Sequence, residues 1–208
     1  MVPGVSSSTL PLIDELPSEA ERALHEAARC GDARLLRALL QGGVAVDVLD
    51  QRGRTGLMLA AEHGHLDALR ELVAAGAEID RRDAGKLHWP ALMHALHADR
   101  SEAAVSLLQW GADPCASDDS GYDALMIAAS RGDRRVVQEL LARGADPAAE
   151  LFLGFTALDY AIGYGHTEVV RLLLSAAPHL RRRRNPARRA VLALAGNAGE
   201  EEILELLA

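Results

Sequence analysis

The 208-residue chain has few aromatic residues, one lysine and two cysteines, and each shortage argues against a class of protein. Seven aromatic residues against 38 alanines and 34 leucines disfavour a sheet-rich fold and favour helices. Cys30 and Cys115 lie 85 residues apart in the sequence. This spacing argues against a disulfide scaffold and against a zinc site built from cysteines, and it is typical of a reducing compartment.

The chain also lacks an apolar run long enough to cross a bilayer, and its first residues lack the basic and apolar pattern of a secretion signal. We therefore expect a cytoplasmic protein that does not bind membranes. The formal charge is −8, and residues 1–178 carry 26 acidic against 16 basic side chains. Because this charge repels polyanions, we expect no binding to nucleic acid.

The sequence patterns of common enzymes are absent as well. The chain has no G-x-S-x-G elbow, no phosphate-binding glycine loop and no H-E-x-x-H. His88, His94 and His97 gather in one segment, but no cysteine or acidic residue lies at a matching spacing for a metal. We predict no catalytic site, no metal site and no cofactor.

An internal repeat of 33 to 35 residues organises the chain. Each unit carries a leucine and an alanine on one face of a short first helix, a break, and a second amphipathic helix with a leucine stripe. No unit can bury its own apolar face, so the units must stack. The aligned break positions are Gly31, Gly64, Asp99, Gly132, Gly165 and Gly199, and the aligned leucines are Leu24, Leu57, Leu92, Leu125, Leu158 and Leu192.

The segments GRTGLMLAAEHGHLDALRELVAAGAEID, from Gly53, and GFTALDYAIGYGHTEVVRLLLSAA, from Gly154, carry the repeat clearly. The pattern resembles the ankyrin repeat family, although the T-P-L-H tetrapeptide of that family is complete in no unit. The resemblance implies an all-α solenoid of about six helix-turn-helix repeats with projecting β-turn loops. Two extra residues and the pair Asp99-Arg100 predict a locally irregular third repeat.

We predict a flexible N-terminal lead over residues 1–19 and a single ankyrin repeat domain over residues 20–208. The first and last repeats are expected to act as caps. The expected repeats cover residues 20–50, 51–83, 84–118, 119–151, 152–184 and 185–208.

The resemblance also implies a concave groove beside the projecting turns, and candidate binding residues follow from it. The position before the T-P-L-H start holds a column of aromatic side chains, and further candidates lie at the tip of the fifth turn and at variable positions of the first helices. The alternative is that these rings pack only against neighbouring turns. Leu59 and Ile127, which share a register with two candidates, are expected to be ordinary, partly buried residues. The candidates are Arg54, Trp89, Tyr122, Phe155, Phe152, His94, Arg131, Tyr160 and Tyr164.

Arg181–Arg184, with Arg188 and Arg189, form the one dense positive segment of the sequence. We interpret it as a solvated connector, with a functional basic patch as the alternative. The preference for arginine over lysine, 21 to 1, is typical of a bacterial genome of biased composition.

The ankyrin-like pattern predicts a non-enzymatic, monomeric module that binds a protein or peptide partner through the groove and the turn tips. The alternative is a regulator or inhibitor of an enzyme or toxin encoded nearby, or a bacterial effector delivered into a host cell.

Overall fold

The computed structural model describes residues 18–151, 154–182 and 200–207. Within these ranges, ten α-helices form five consecutive pairs, followed by a 3-10 helix and one further α-helix, which confirms the predicted all-α fold. Within the described ranges there is no β-strand, and Ser117 and Asp123 form an isolated bridge. The helices are α1 (Glu19–Cys30), α2 (Ala33–Gln41), α3 (Gly56–His63), α4 (Leu66–Ala74), α5 (Ala91–His97), α6 (Ser101–Gln109), α7 (Ala124–Arg131), α8 (Arg134–Ala142), α9 (Ala157–Gly163), α10 (Thr167–Ala176), the 3-10 helix Pro178–Arg182, and α11 (Glu200–Leu207).

Local capping defines where the helices begin and end. The Ser18 hydroxyl accepts from the backbone N–H of Glu21, and the Glu21 carboxylate accepts from the Ser18 N–H, so a capping box starts α1. Gly31 ends this helix with φ 79°. Asp32 then starts α2 at once, because its carboxylate accepts the N–H of Leu35 at 3.0 Å.

The helix pairs stack in sequence order. The first helices α1, α3, α5, α7 and α9 each contact the next in the series, and so do the second helices α2, α4, α6, α8 and α10. The aligned leucines lie between the layers, as predicted: Leu24, Leu57, Leu92, Leu125 and Leu158 are each at most 1% exposed. Leu192 lies outside the described residues.

Helix α11 packs against the fifth helix pair. Ile203 of α11 is buried, α11 contacts α10, and Glu202 forms an ion pair with Arg171. The predicted lead falls almost wholly outside the described residues, as do Arg183 to Gly199. No helix of the described part is long and apolar enough to cross a membrane.

The third repeat is irregular, as predicted. His88 and Asp99 have φ values of 50° and 58°, in the left-handed region that residues other than glycine rarely occupy. His88 lies in the turn that holds the two extra residues, and Asp99 follows α5.

Candidate functional site

An aspartate closes each of the turns before α3 and α7. The Asp50 carboxylate accepts the backbone N–H groups of Arg52 and Arg54 at 2.8 and 2.9 Å. Asp118 closes its own turn in the same way, at 2.8 and 3.0 Å. Leu151 stands at this position in the fifth turn, where its N–H donates to a carbonyl four residues later at 2.8 Å. These closures fix the backbone from which the candidate side chains project.

An aromatic cluster forms where the fourth turn meets the fifth repeat. The ring centroid of Tyr160 lies 5.3 Å from that of Tyr122 and 6.4 Å from that of Phe155. All three rings are half-buried. Burial raises the pKa of both Tyr122 and Tyr160, so their hydroxyls stay protonated and able to donate a hydrogen bond at neutral pH.

Tyr164 extends this cluster into solvent. It follows α9, its side chain is 61% exposed, and its ring stacks on that of His166 with centroids 6.3 Å apart. We name Tyr122, Phe155, Tyr160 and Tyr164 the aromatic cluster. The sequence placed these four residues near one another. The structure brings the rings of Tyr122, Phe155 and Tyr160 together, and Tyr164 follows one helical turn after Tyr160. Phe152, the remaining candidate at this end, lies outside the described residues.

Trp89 does not share the exposure expected of the aromatic column. It is 7% exposed, and its ring lies 5.0 Å from His97 and 5.8 Å from His94 between centroids. The longer third turn places it there: the Trp89 N–H donates to Asp83 Oδ2 at 3.1 Å, across six residues rather than four. Trp89 therefore fits the alternative in which a ring of this column packs inside the fold, and the two extra residues give its turn a different path.

His94 lies beside Trp89 in the third repeat. Its Nε2 lies 2.9 Å from Asp83 Oδ2, and the ring is mostly buried. Burial lowers the pKa of His94 and outweighs the Asp83 carboxylate, which acts in the opposite direction. His94 is therefore a neutral hydrogen-bonding group at pH 7 and is not a free cation facing a partner.

The two candidate arginines are both engaged within the chain. Arg54 pairs with Asp50 at 3.1 Å and with Glu62 at 2.8 Å, and its side chain is 18% exposed. Arg131 is exposed, but its guanidinium donates to the backbone carbonyl of His97 in the preceding repeat. Leu59 and Ile127 are almost completely buried, which goes beyond the partial burial that was expected.

The Arg131 contact belongs to a series of hydrogen bonds between neighbouring repeats, only part of which was predictable from the sequence. In each of four repeats, a basic side chain near the break between the two helices donates to a carbonyl at the end of the previous first helix. In the second and fifth repeats the histidine of a Gly-His pair makes this contact, whereas in the third repeat Asp-Arg replaces Gly-His and Arg100 makes it. The contacts are His65 to the Arg29 carbonyl (3.0 Å), Arg100 to Glu62 (3.2 Å), Arg131 to His97, and His166 to Ser130 (3.0 Å).

The two thiols are poorly suited to nucleophilic chemistry. A hydrogen bond to Glu26 raises the pKa of Cys30, and burial raises the pKa of Cys115. A thiol with a raised pKa forms little of the reactive thiolate at neutral pH. In the described ranges, no group of three histidine, cysteine, aspartate or glutamate side chains is placed to hold a metal ion.

Stacked helix pairs with projecting turns define the chain as a helical repeat protein, a class in which each unit packs on its neighbours. A sequence profile described as "Ankyrin repeats (3 copies)" matches residues 24–118, 82–150 and 125–208. The chain belongs to the ankyrin repeat family, whose repeats are a generic protein–protein interaction module. The family predicted from the sequence is confirmed.

Several curated proteins are similar to this chain over part of their length. Ankyrin repeat domain-containing protein 63 of Homo sapiens is 38% identical over 110 residues, 51% of this chain and 28% of that protein. A putative ankyrin repeat-containing protein of Treponema pallidum (strain Nichols) is 32% identical over 108 residues, 52% of this chain and 36% of that protein. E3 ubiquitin-protein ligase KEG of Arabidopsis thaliana is 32% identical over 130 residues, 62% of this chain and 8% of that protein. The chain spans well under two thirds of each relative.

Proposed function

We propose that this chain is a non-enzymatic module that binds a protein or peptide partner through its projecting turns and first helices. The aromatic cluster of the fourth and fifth repeats is the anchor of the binding surface. The exposure of Tyr164, one helical turn beyond Tyr160, carries this proposal, because an aromatic residue that is 61% exposed adds little to the core.

The chemistry of the cluster supports an anchor role. Tyrosine combines a large apolar ring with a polar tip, and tyrosines are enriched at the centres of protein interfaces. Tyr160 already packs against Tyr122 and Phe155, so these rings lose little conformational freedom when a partner binds. The closed turns restrict the backbone in the same way.

The contacts of the other candidate residues within the chain lead us to assign them lesser roles in partner binding. Trp89 and Arg54 stabilise their own turns and support the surface from beneath. Arg131 interacts electrostatically with Tyr122 and contacts a partner at the rim of the cluster, whereas His94 stays a predicted contact in the third repeat. Phe152 stays a predicted contact at the tip of the fifth turn.

The proposal includes a cytoplasmic monomer that needs no cofactor and binds neither membranes nor nucleic acid. The net charge of −8 supports the last point, since an acidic surface repels phosphate backbones.

The test selects ligands from a random-peptide display library on the wild-type protein. It then compares their affinities for the wild type and for Tyr164→Ala by fluorescence anisotropy. We expect the substitution to weaken binding by about tenfold or more. The thermal midpoint should stay unchanged, because a side chain that is 61% exposed contributes little to the core.

Leu35→Ala is the matched control, since Leu35 is an exposed apolar residue of α2, far along the stack from Tyr164. It should leave both affinity and stability unchanged. Selected ligands that bind Tyr164→Ala as tightly as wild type would show that the anchor lies elsewhere, and failure to select any ligand would contradict the proposed function.

A further inference from the structure

A cleft of about 370 Å³ lies at the N-terminal end of the stack, at the opposite end from the aromatic cluster. Helix α1 forms one wall, and the turn at residues 50–54 forms the other. His25 ties the walls together, because its Nε2–H donates to the Val48 carbonyl at 2.9 Å. The cleft is therefore a fixed feature of the first two repeats. Its charged lining is Arg22, Glu26, Arg29, Asp50, Arg52 and Arg54.

Four arginines and two carboxylates thus face this cleft, and the carboxylates are already paired. Glu26 forms an ion pair with Arg29, and Asp50 forms one with Arg54. Burial by itself raises the pKa of Asp50, but the N–H groups of its turn and the Arg54 charge lower it below its ordinary value. The Asp50 carboxyl group is therefore ionised at pH 7, and its oxygens are occupied by the N–H groups of its turn and by Arg54.

Two cations of the cleft remain uncompensated. Arg22 and Arg52 are exposed, and neither forms an ion pair with any residue in the described ranges. This local positive charge lies on a chain with a net charge of −8. Guanidinium groups hydrogen-bond carboxylates with two parallel donors, so a pair of free arginines beside a cleft has a defined chemical complement.

We propose that this cleft binds an acidic segment of the partner, with Arg22 and Arg52 pairing with its aspartate or glutamate carboxylates. The inference rests on the proposed function, because it places the acidic end of a peptide whose other end contacts the aromatic cluster. A short acidic peptide fits better than a nucleic acid, since the rest of the acidic body repels a long polyanion.

The test uses a labelled octapeptide with four central glutamates flanked by glycines, and the same peptide with glutamines. Affinities are measured by fluorescence anisotropy at about 50 mM and about 300 mM salt, because exposed charges are screened more strongly as salt rises. Wild type should bind the glutamate peptide about tenfold more tightly than the glutamine peptide at the lower salt, and the preference should shrink at the higher salt.

The double variant Arg22→Gln/Arg52→Gln should lose this preference. The matched control is Arg134→Gln/Arg135→Gln, which removes the same charge from exposed positions of α8. The control should change affinity by less than about twofold, since two distant charges act only through the screened field. Circular dichroism spectra of both double variants should match that of wild type, which checks that the variants fold.

Equal losses in the two double variants, or equal binding of the two peptides by wild type, would overturn the proposal. Duplex DNA that binds as tightly as the glutamate peptide, and is lost in Arg22→Gln/Arg52→Gln, would assign the cleft to nucleic acid instead. Tyr164→Ala should leave binding of the glutamate peptide unchanged. The two experiments therefore test acidic-peptide binding by the cleft and partner binding by the aromatic cluster independently of each other.

Discussion

The Asp123 carboxyl group caps α7 at a position where Thr55 and Thr156 stand in the second and fifth repeats. It accepts the Met126 N–H at 2.7 Å and is 8% exposed. Burial raises the pKa of Asp123 to about 6, and hydrogen bonds from backbone N–H groups oppose this only in part. The fold therefore carries a cap whose charge at pH 7 is destabilising.

Replacing Asp123 with Asn should stabilise the protein at neutral pH. Because the folded pKa of about 6 lies above the ordinary value of 3.8, the protonated carboxyl contributes stability below pH 3.8, and this contribution is lost as the pH rises through 6. Asparagine keeps the acceptor and has no charge to lose. We expect Asp123→Asn to exceed wild type by about 1–3 kcal/mol in the free energy of unfolding at pH 8.

Urea unfolding at several pH values checks this prediction, with the difference between variant and wild type as the measured quantity. The difference should shrink to near zero by about pH 4. The His94 contribution runs the other way: its lowered pKa means that stability is lost as the pH falls below the ordinary histidine value. The His94 contribution is the same in wild type and variant, so it cancels in the difference between them. A difference that does not vary with pH would therefore contradict the assignment to Asp123.

At the scale of elements, the break after α5 departs from the other repeats. Asp99 adopts φ 58° at the position that glycine occupies after α1, α3 and α7. The left-handed conformation costs a residue with a side chain about 1–2 kcal/mol, and glycine loses about 0.5–1 kcal/mol more backbone entropy on folding. The first cost is the larger, so the wild-type break is strained.

Asp99→Gly should therefore raise the free energy of unfolding by about 0.5 kcal/mol, as measured by urea unfolding. The reverse change tests the same argument at the next break. Gly132 has φ 72°, and a Cβ there would lie 2.5 Å from His166 Nδ1. Gly132→Ala should cost more than about 1 kcal/mol. A stabilising Gly132→Ala, or a destabilising Asp99→Gly, would mean that these breaks are not held in the left-handed conformation.

At the scale of the whole molecule, stability depends on contacts between neighbouring repeats. Leu125 is buried at 1% exposure in α7, which packs between α5 and α9. Leu125→Ala should cost about 2–5 kcal/mol in thermal or urea unfolding, through lost transfer energy and the cavity left behind. Leu207→Ala should lower the free energy of unfolding by less, because Leu207 is only half-buried in α11. Equal losses at the two leucines would argue against a linear stack.

The fold was predictable from the sequence because its signals are local and repeated. Leucine, alanine and glycine recur at the same offsets, and five of the six aligned leucines are buried as predicted. The candidate site was less predictable. Tyr160 and Tyr164 lie four positions apart in the sequence, so their proximity could be inferred from helical spacing. By contrast, no sequence pattern indicated that Arg22 and Arg52 of the N-terminal cleft lack an ion-pair partner within the described ranges.

The amino-acid sequence is enough to specify the family, the order of the helices and the leucine face of each repeat, because these features depend on neighbours along the chain. Which of the repeated side chains are accessible depends on the packing of one repeat on the next. This packing buries Trp89 and leaves Tyr164 61% exposed, and it engages Arg131 through a carbonyl 34 positions away while Arg52 stays unpaired within the described ranges. Burial and ion pairing depend on residues one repeat apart, and the identity of a single side chain does not specify those contacts.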